Sequence, residues 1–216
     1  MVGVVVTGGS GKIGNAIVEH LSKSYFIIWR PSHNDMPVES ALAVSKAFEK
    51  KGPIRILICA HGIYGEAARV ENSDPWLWKH ALEVNLIGTY NVCRFALPQM
   101  AQDGIIINLA GGGGMLDPVP FISSYGCSKS GIVSLTKTLA AEHPNLRINC
   151  IFPGMQDGEI HDRLLAAGPE GNPAYHSIKR MRETGEGAVP VENTLRCIDY
   201  LINNTVSGKV CFAREF

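Results

Sequence analysis

The chain has 216 residues, 45% of them hydrophobic, and its 20 basic side chains balance 20 acidic ones. That length suits a single α/β domain with one sizeable core. A formal net charge of zero leaves no global field to draw the protein to nucleic acid or to an anionic membrane, so the partners expected are small molecules and further copies of the chain.

The six cysteines, Cys59, Cys93, Cys127, Cys150, Cys197 and Cys211, include no Cys-x-x-Cys pair and no histidine at zinc-finger spacing. They read as reduced thiols of a cytoplasmic protein without a metal site. The opening MVGVVVTGG lacks the basic start and apolar length of a signal peptide, and no later window reaches the length of a membrane span.

In chain order, residues 2–6 form an apolar run without alternation, which predicts a parallel strand buried on both faces. A helix follows from Lys12, with Ile13, Ile17 and Leu21 on one side. A second strand, 26–29, ends at Arg30-Pro31, and a second helix carries Val38, Leu42 and Phe48 up to the turn Lys51-Gly52-Pro53. The alternation continues with a strand at 54–59, a long helix at 75–97, a strand at 105–109, a helix at 125–142 and a strand at 147–152. A polar region, 153–190, interrupts it, and a helix at 192–203 and a strand at 209–213 close the chain. Strand and helix alternating in this way predict a doubly wound, Rossmann-type α/β fold with a mainly parallel sheet of six to seven strands.

Two motifs carry chemistry. Thr7-Gly8-Gly9-Ser10-Gly11-Lys12-Ile13-Gly14 lies between the first strand and the first helix, where such a sheet receives a dinucleotide. Gly8 permits the tight turn, Gly11 lets backbone N–H groups approach a pyrophosphate, and Gly14 allows close packing of the helix. Further on, Tyr125 and Lys129 stand one helical turn apart on the same face, a phenol and an ammonium spaced for proton transfer.

With the glycine turn at its start and Tyr-x-x-x-Lys in its middle, the sequence resembles the short-chain dehydrogenase/reductase family over essentially its full length. Glu83-Val84-Asn85-Leu86-Ile87-Gly88-Thr89 resembles the family's Asn-bearing helix, and Arg147-Ile148-Asn149-Cys150-Ile151-Phe152-Pro153-Gly154 its strand ending in Pro-Gly. Cys59-Ala60-His61-Gly62 takes the place of Asn-Asn-Ala-Gly. The segment before Ile54 is short for the family, which predicts the loss of one helix from the cofactor half.

The resemblance implies one domain, with residues 1–109 mainly holding the cofactor and 110–216 holding catalytic and substrate groups under a loop at 155–190. It implies that Tyr125 exchanges a proton with a substrate oxygen while a nicotinamide carries the hydride. Lys129 would lower the phenol's pKa and bind the nicotinamide ribose, and Asn85 would hold a water linking Lys129 to solvent. Cofactor contacts are expected from Gly8, Ser10, Gly11, Lys12, Ile13, Gly14, Arg30, Ser32, Asp35, Ala60, His61, Gly62, Tyr125, Lys129, Pro153 and Gly154. Arg30 and Ser32 stand where a carboxylate would select NAD, which favours NADP(H) over NAD(H). A homodimer or homotetramer is expected through the helices at 76–97 and 131–141, whose apolar residues cover more of the surface than one sheet face needs.

The pattern breaks where the family carries a catalytic serine. The corresponding residues are Ala110, Gly111, Gly112 and Gly113, none with a hydroxyl. Consecutive glycines adopting positive φ could aim backbone N–H groups at the substrate oxygen as a nest. After Pro153-Gly154 the family's Thr is absent as well, and Gln156 stands as its substitute. Two functions stay open: an NADP(H)-dependent oxidoreductase acting on a ketone or secondary alcohol, and a weakly active or non-catalytic NADP(H)-binding regulator. The longer nucleotide-sugar branch of epimerases and dehydratases is disfavoured, because so little chain follows Pro153. The basic residues Arg163, Lys179, Arg180 and Arg182 read as a solvated helix face rather than an anion site.

Overall fold

The computed structural model describes residues 3–49, 52–112, 119–166, 168–170, 172 and 174–216. Its elements run β1 (Gly3–Thr7), α1 (Lys12–Leu21), β2 (Ile27–Trp29), α2 (Ala41–Phe48), β3 (Ile54–Cys59), α3 (Pro75–Leu82), a π-helical turn (Glu83–Ile87), α4 (Gly88–Ala96), β4 (Met100–Leu109) and α5 (Ser123–Glu142). The chain ends with β5 (Arg147–Phe152), α6 (Glu159–Ala166), α7 (Tyr175–Thr184), α8 (Val191–Asn203) and β6 (Val210–Phe212). The strands form one six-stranded sheet of order β2-β1-β3-β4-β5-β6, every pairing parallel.

Alternation of side chains across the pleat divides the apolar runs between two cores. Val4, Val6, Ile56, Ile58, Ile105 and Ile107 pack on one face with Ile17 and Leu21 of α1 and Ile198 and Leu201 of α8. Val5, Leu57 and Ile106 point to the other face, against Val44 and Phe48 of α2, Val92 of α4 and Leu139 of α5. Full burial of an aliphatic side chain contributes about 1.5–3 kcal/mol, so these two layers, more than helix propensity, hold α1, α2 and α8 against the sheet.

Three expectations need correction. The helix at 75–97 is interrupted by the π-helical turn at Glu83–Ile87. The polar region at 153–190 contains two helices, α6 and α7, in which Leu164, Ile178 and Met181 are buried among the described residues. Leu42 is 66% exposed, and Val38, although buried, precedes α2. The loss of one helix expected in the cofactor half agrees with the topology: α2 is the one described helix between β2 and β3, where a doubly wound sheet of order 3-2-1-4-5-6 has two helices and a further strand beyond β2, and here β2 is the edge. Expectations resting on Val2, Lys51 and Gly113, and on the Arg163 side chain, lie outside the described residues. Among the described residues no helix is long and apolar enough to cross a membrane.

The sheet order reverses between β1 and β3, whose ends meet in register at Thr7 and Cys59. That is the switch point at which an open α/β sheet forms a ligand crevice.

Candidate active site

The glycine turn shapes one wall of the crevice. Gly8 has φ +67°, and a β-carbon there would stand 2.6 Å from the His61 backbone, so only glycine lets the loops after β1 and β3 approach so closely. A β-carbon on Gly14 would overlap the Gly8 carbonyl; this glycine packs the first turn of α1 against the loop rather than against the sheet. Gly11 is the N-cap of α1 and supplies no side-chain cap. The first N–H groups of the helix are thereby left for a ligand, the arrangement that binds phosphate.

A cavity of about 420 Å³ opens here, lined by Gly8, Ser10, Gly11, Ser32, Met36, Val38 and Ala60 through Ile63. A second, of about 150 Å³, continues from Ala60, His61 and Gly62 to Ile13, Gly111, Tyr125, Lys129, Pro153, Gly154 and Gln156. Gln156 donates from Nε2 to the Pro153 carbonyl and to Thr194 Oγ1, at 3.1 and 2.7 Å. Its Oε1 is buried and has no hydrogen-bond partner among the described residues. An acceptor left unpaired at the far end of a glycine-walled crevice fits the carboxamide of a nicotinamide, as the uncapped turn of α1 fits its pyrophosphate.

Three expected cofactor contacts are directed elsewhere. Arg30 is exposed, reaches toward Asn15 Oδ1 at 3.4 Å and lines a separate shallow depression with Trp29 and Asp35. Asp35 accepts from the Ser32 hydroxyl and backbone N–H at 2.7 and 2.9 Å; these hydrogen bonds hold its carboxyl below the usual range. Lys12 donates to the Asp157 carbonyl at 2.6 Å. None of the three lines the cavity that holds Ser32.

His61 bridges two threonines. The Thr89 hydroxyl donates to the Asn85 carbonyl at 2.7 Å, so it accepts from His61 Nε2 at 3.3 Å, and Nδ1 then accepts from Thr7 at 2.6 Å. Burial, with the Lys129 charge adding to it, lowers the imidazole pKa to about 3. His61 is therefore a neutral strut between β1 and α4.

Asn85 lies in the π-helical turn and is fully buried. Its Oδ1 accepts from Ile63 N–H at 2.8 Å, and its Nδ2 donates to the Ile63 carbonyl at 2.8 Å and to Ser128 Oγ at 3.0 Å. Both side-chain protons are committed within the protein, and Asn85 thereby fixes the loop after β3 against α5.

Tyr125 and Lys129 share the inner face of α5 and the second cavity. Lys129 is 5% exposed, and its Nζ donates to the Leu109 carbonyl at 3.0 Å and lies 5.6 Å from the centroid of the Tyr125 ring. Burial lowers the ammonium pKa to about 8. Burial also raises the Tyr125 phenol to about 12, the reverse of the expected depression. Desolvation outweighs the neighbouring cation because that cation is itself reluctant to stay charged.

Gly111 and Gly112 are absent from the glycines with positive φ, so these two do not build the expected nest; Gly113 and Gly114 lie outside the described residues. A third cavity, of about 320 Å³, begins at Tyr125 and Gly112 and runs to Tyr64, Phe152, Met155, His161, Leu164, Phe212 and Arg214. Tyr64 and His161 escaped the sequence reading. The available signal for Tyr64 is its place two residues beyond the Ala60-His61-Gly62 turn. The basic residues of α7 pair with carboxylates, Arg182 with Asp157 and Asp162, Lys179 with Glu183 and Arg180 with Glu186.

Comparison with known proteins agrees with this geometry. Residues 36–167 match the family model for short chain dehydrogenases, more than half of the chain, and the chain belongs to that family of NAD(P)-dependent oxidoreductases. It is 29% identical over 214 residues to a probable galactose dehydrogenase of Rhizobium meliloti, covering 84% of this chain and 79% of that one. It is 26% identical to an L-fucose dehydrogenase of Oryctolagus cuniculus over 88% of this chain and 66% of the relative. A crystal structure of a small-chain dehydrogenase in complex with NADPH has the same fold, with a TM-score of 0.82 and 23% identity over 97% of this chain and 94% of that one.

Proposed function

We propose that the protein is an NADP(H)-dependent oxidoreductase that interconverts a ketone and a secondary alcohol, with Tyr125 as the proton-transferring acid. The observation that carries this reading is the placement of Tyr125 on the wall shared by the dinucleotide crevice and the 320 Å³ cavity, with Lys129 beside it in the crevice. A bound nicotinamide supplies the hydride. The chain supplies a phenol that stays protonated at neutral pH, which suits it to give a proton to a carbonyl oxygen in the reductive direction. Lys129 stands behind the ring and is placed to bind the ribose, and Asn85 is a positioning residue for the loop that separates the cavities.

The preference for NADP(H) rests on the lining of the 420 Å³ cavity, which offers Ser32 and His33 but no carboxylate among the described residues. A homodimer or homotetramer follows from the outward face of α3, α4 and the turn between them, where Trp76, Ile87 and Tyr90 are exposed. A monomer mass in light scattering at micromolar protein would reject that assembly.

The deciding experiment incubates the protein with NADPH and a panel of ketones, and with NADP+ and a panel of secondary alcohols and sugars that includes galactose and L-fucose after the two relatives. Turnover followed at the nicotinamide absorbance, lost in Tyr125→Phe, supports the reading. Tight NADPH binding with no turnover across both panels supports the regulator instead, a reading favoured by the absence of a hydroxyl at Gly111.

A further inference from the structure

Two buried polar atoms on the cavity walls have no hydrogen-bond partner among the described residues and no role so far, His161 Nδ1 and the Tyr64 hydroxyl, and of these only Tyr64 packs ring to ring on Tyr125. Tyr64 is 5% exposed and packs among Ile122, Leu164, Ile178 and Met181. Its hydroxyl has no hydrogen-bond partner among the described residues. A buried hydroxyl left unpaired is costly, and the wall it shares with Tyr125 faces the substrate side of the site. The unmet partner is therefore sought in the ligand.

The backbone explains how Tyr64 comes to be there. Asn85 grips both polar groups of Ile63, which fixes the residue before it. Gly65, with φ +82°, turns the chain where a β-carbon would stand 3.0 Å from both Ala81 Cβ and Ser124 Oγ. Between these two anchors the Tyr64 ring is pressed onto Tyr125, with centroids 5.2 Å apart and planes inclined by 33°. Two phenols thus meet at one cavity, whose lining includes Gly112 but no serine or threonine hydroxyl among the described residues.

Resting on the oxidoreductase reading above, we propose that the Tyr64 hydroxyl is the second hydrogen-bond donor of the site, holding the substrate oxygen beside Tyr125 in the role a serine at position 111 would fill. In the reductive direction the carbonyl carbon gains the hydride and the nicotinamide is oxidised. The carbonyl π pair takes the proton of Tyr125 Oη, and Tyr64 keeps its own proton, contributing a hydrogen bond that strengthens as charge develops on the oxygen. Burial, and secondarily the charge Tyr125 would carry as phenolate, raise the Tyr64 pKa, so this hydroxyl remains a donor throughout the working pH range.

Tyr64→Phe removes the hydroxyl and keeps the ring. On the best substrate from the panels, kcat is expected to fall about a hundredfold or more, with the NADPH dissociation constant and the thermal midpoint unchanged. Calorimetry supplies a readout independent of turnover: the product alcohol, titrated into protein loaded with NADPH so that no reaction occurs, is expected to bind about tenfold more weakly to the variant. A variant within about threefold of wild type in both measurements overturns the assignment, as does one whose activity falls only in step with NADPH affinity or thermal midpoint. A wild-type protein that binds NADPH and turns over nothing overturns the oxidoreductase reading and Tyr64's role with it. That outcome differs plainly from an active wild type matched by an equally active variant.

Discussion

A β-carbon on Gly111 would stand 2.5 Å from the Tyr125 hydroxyl and 3.1 Å from Tyr125 Cζ. Position 111 is therefore the place from which a side chain would meet the reacting oxygen, and it is too close for one to fit without displacing the phenol. Gly111→Ser is expected to lower kcat by about tenfold or more through this displacement. Gly112→Ser, with nothing within 4 Å of its β-carbon, should stay within about twofold of wild type. Steady-state kinetics of the two variants check this. A large gain in Gly111→Ser would show that the site lacks a donor.

Tyr125→Phe is expected to reduce turnover by at least about a hundredfold, the scale of a positioned acid. NADPH affinity should hold, because the glycine turn and Lys129 are untouched. Fluorescence titration with NADPH beside the rate assay separates the two effects, and a parallel loss of binding would count against Tyr125 acting only on the substrate.

Lys129 sets a pH signature of stability. Its pKa falls from 10.5 in an unperturbed chain to about 8 in the fold. Between those values the unfolded state binds more protons than the native state, so this residue's contribution to stability rises with pH across that window, on the order of 3 kcal/mol over its whole span. The Tyr125 phenol, raised to about 12, acts in the opposite sense: the stability it adds is complete below pH 10 and is lost as pH climbs through 12. Thermal midpoints of wild type and Lys129→Met should thus diverge in favour of wild type from pH 8 to 10. A constant difference would show that burial does not penalise the ammonium.

Cofactor choice should respond to Ser32 more than to Arg30, since only Ser32 lines the 420 Å³ cavity. Ser32→Asp places a carboxylate there and is expected to weaken NADP(H) by about tenfold or more while leaving NAD(H) unchanged or tighter. Arg30→Ala should move both by less than about threefold. Parallel titrations with the two cofactors decide it, and a selective loss of NADP(H) in Arg30→Ala would return the phosphate contact to that arginine.

The strands were readable because burial on both faces demands apolar residues at nearly every position, as in Val4 through Val6 and Ile56 through Ile58. The turn at Gly8 and the Tyr125–Lys129 pair were readable because their spacing is local. What escaped depends on direction in space. Arg30, Asp35 and Lys12 have the right chemistry at the right place in the chain, but a neighbouring carbonyl, hydroxyl or amide captures each side chain. Helices α6 and α7 hid in a polar stretch because few of their described side chains are buried. Tyr64 carried no motif, and its importance emerges only when the loop after β3 is folded onto α5.

The π-helical turn has a consequence for how this chain can change over generations. Each residue in a helix advances the face by about 100°, and the wide turn at Glu83–Ile87 accommodates one residue more than an α-helical turn would. Removing a residue between Leu82 and Gly88 would restore a regular helix and rotate one end against the other, parting Asn85 from Ile63 and Ser128 or turning Val92 out of its core. A one-codon deletion or insertion in this stretch would therefore shift the register of every contact on one side of it in a single step, whereas a substitution would act only where its own side chain is engaged, as at Asn85.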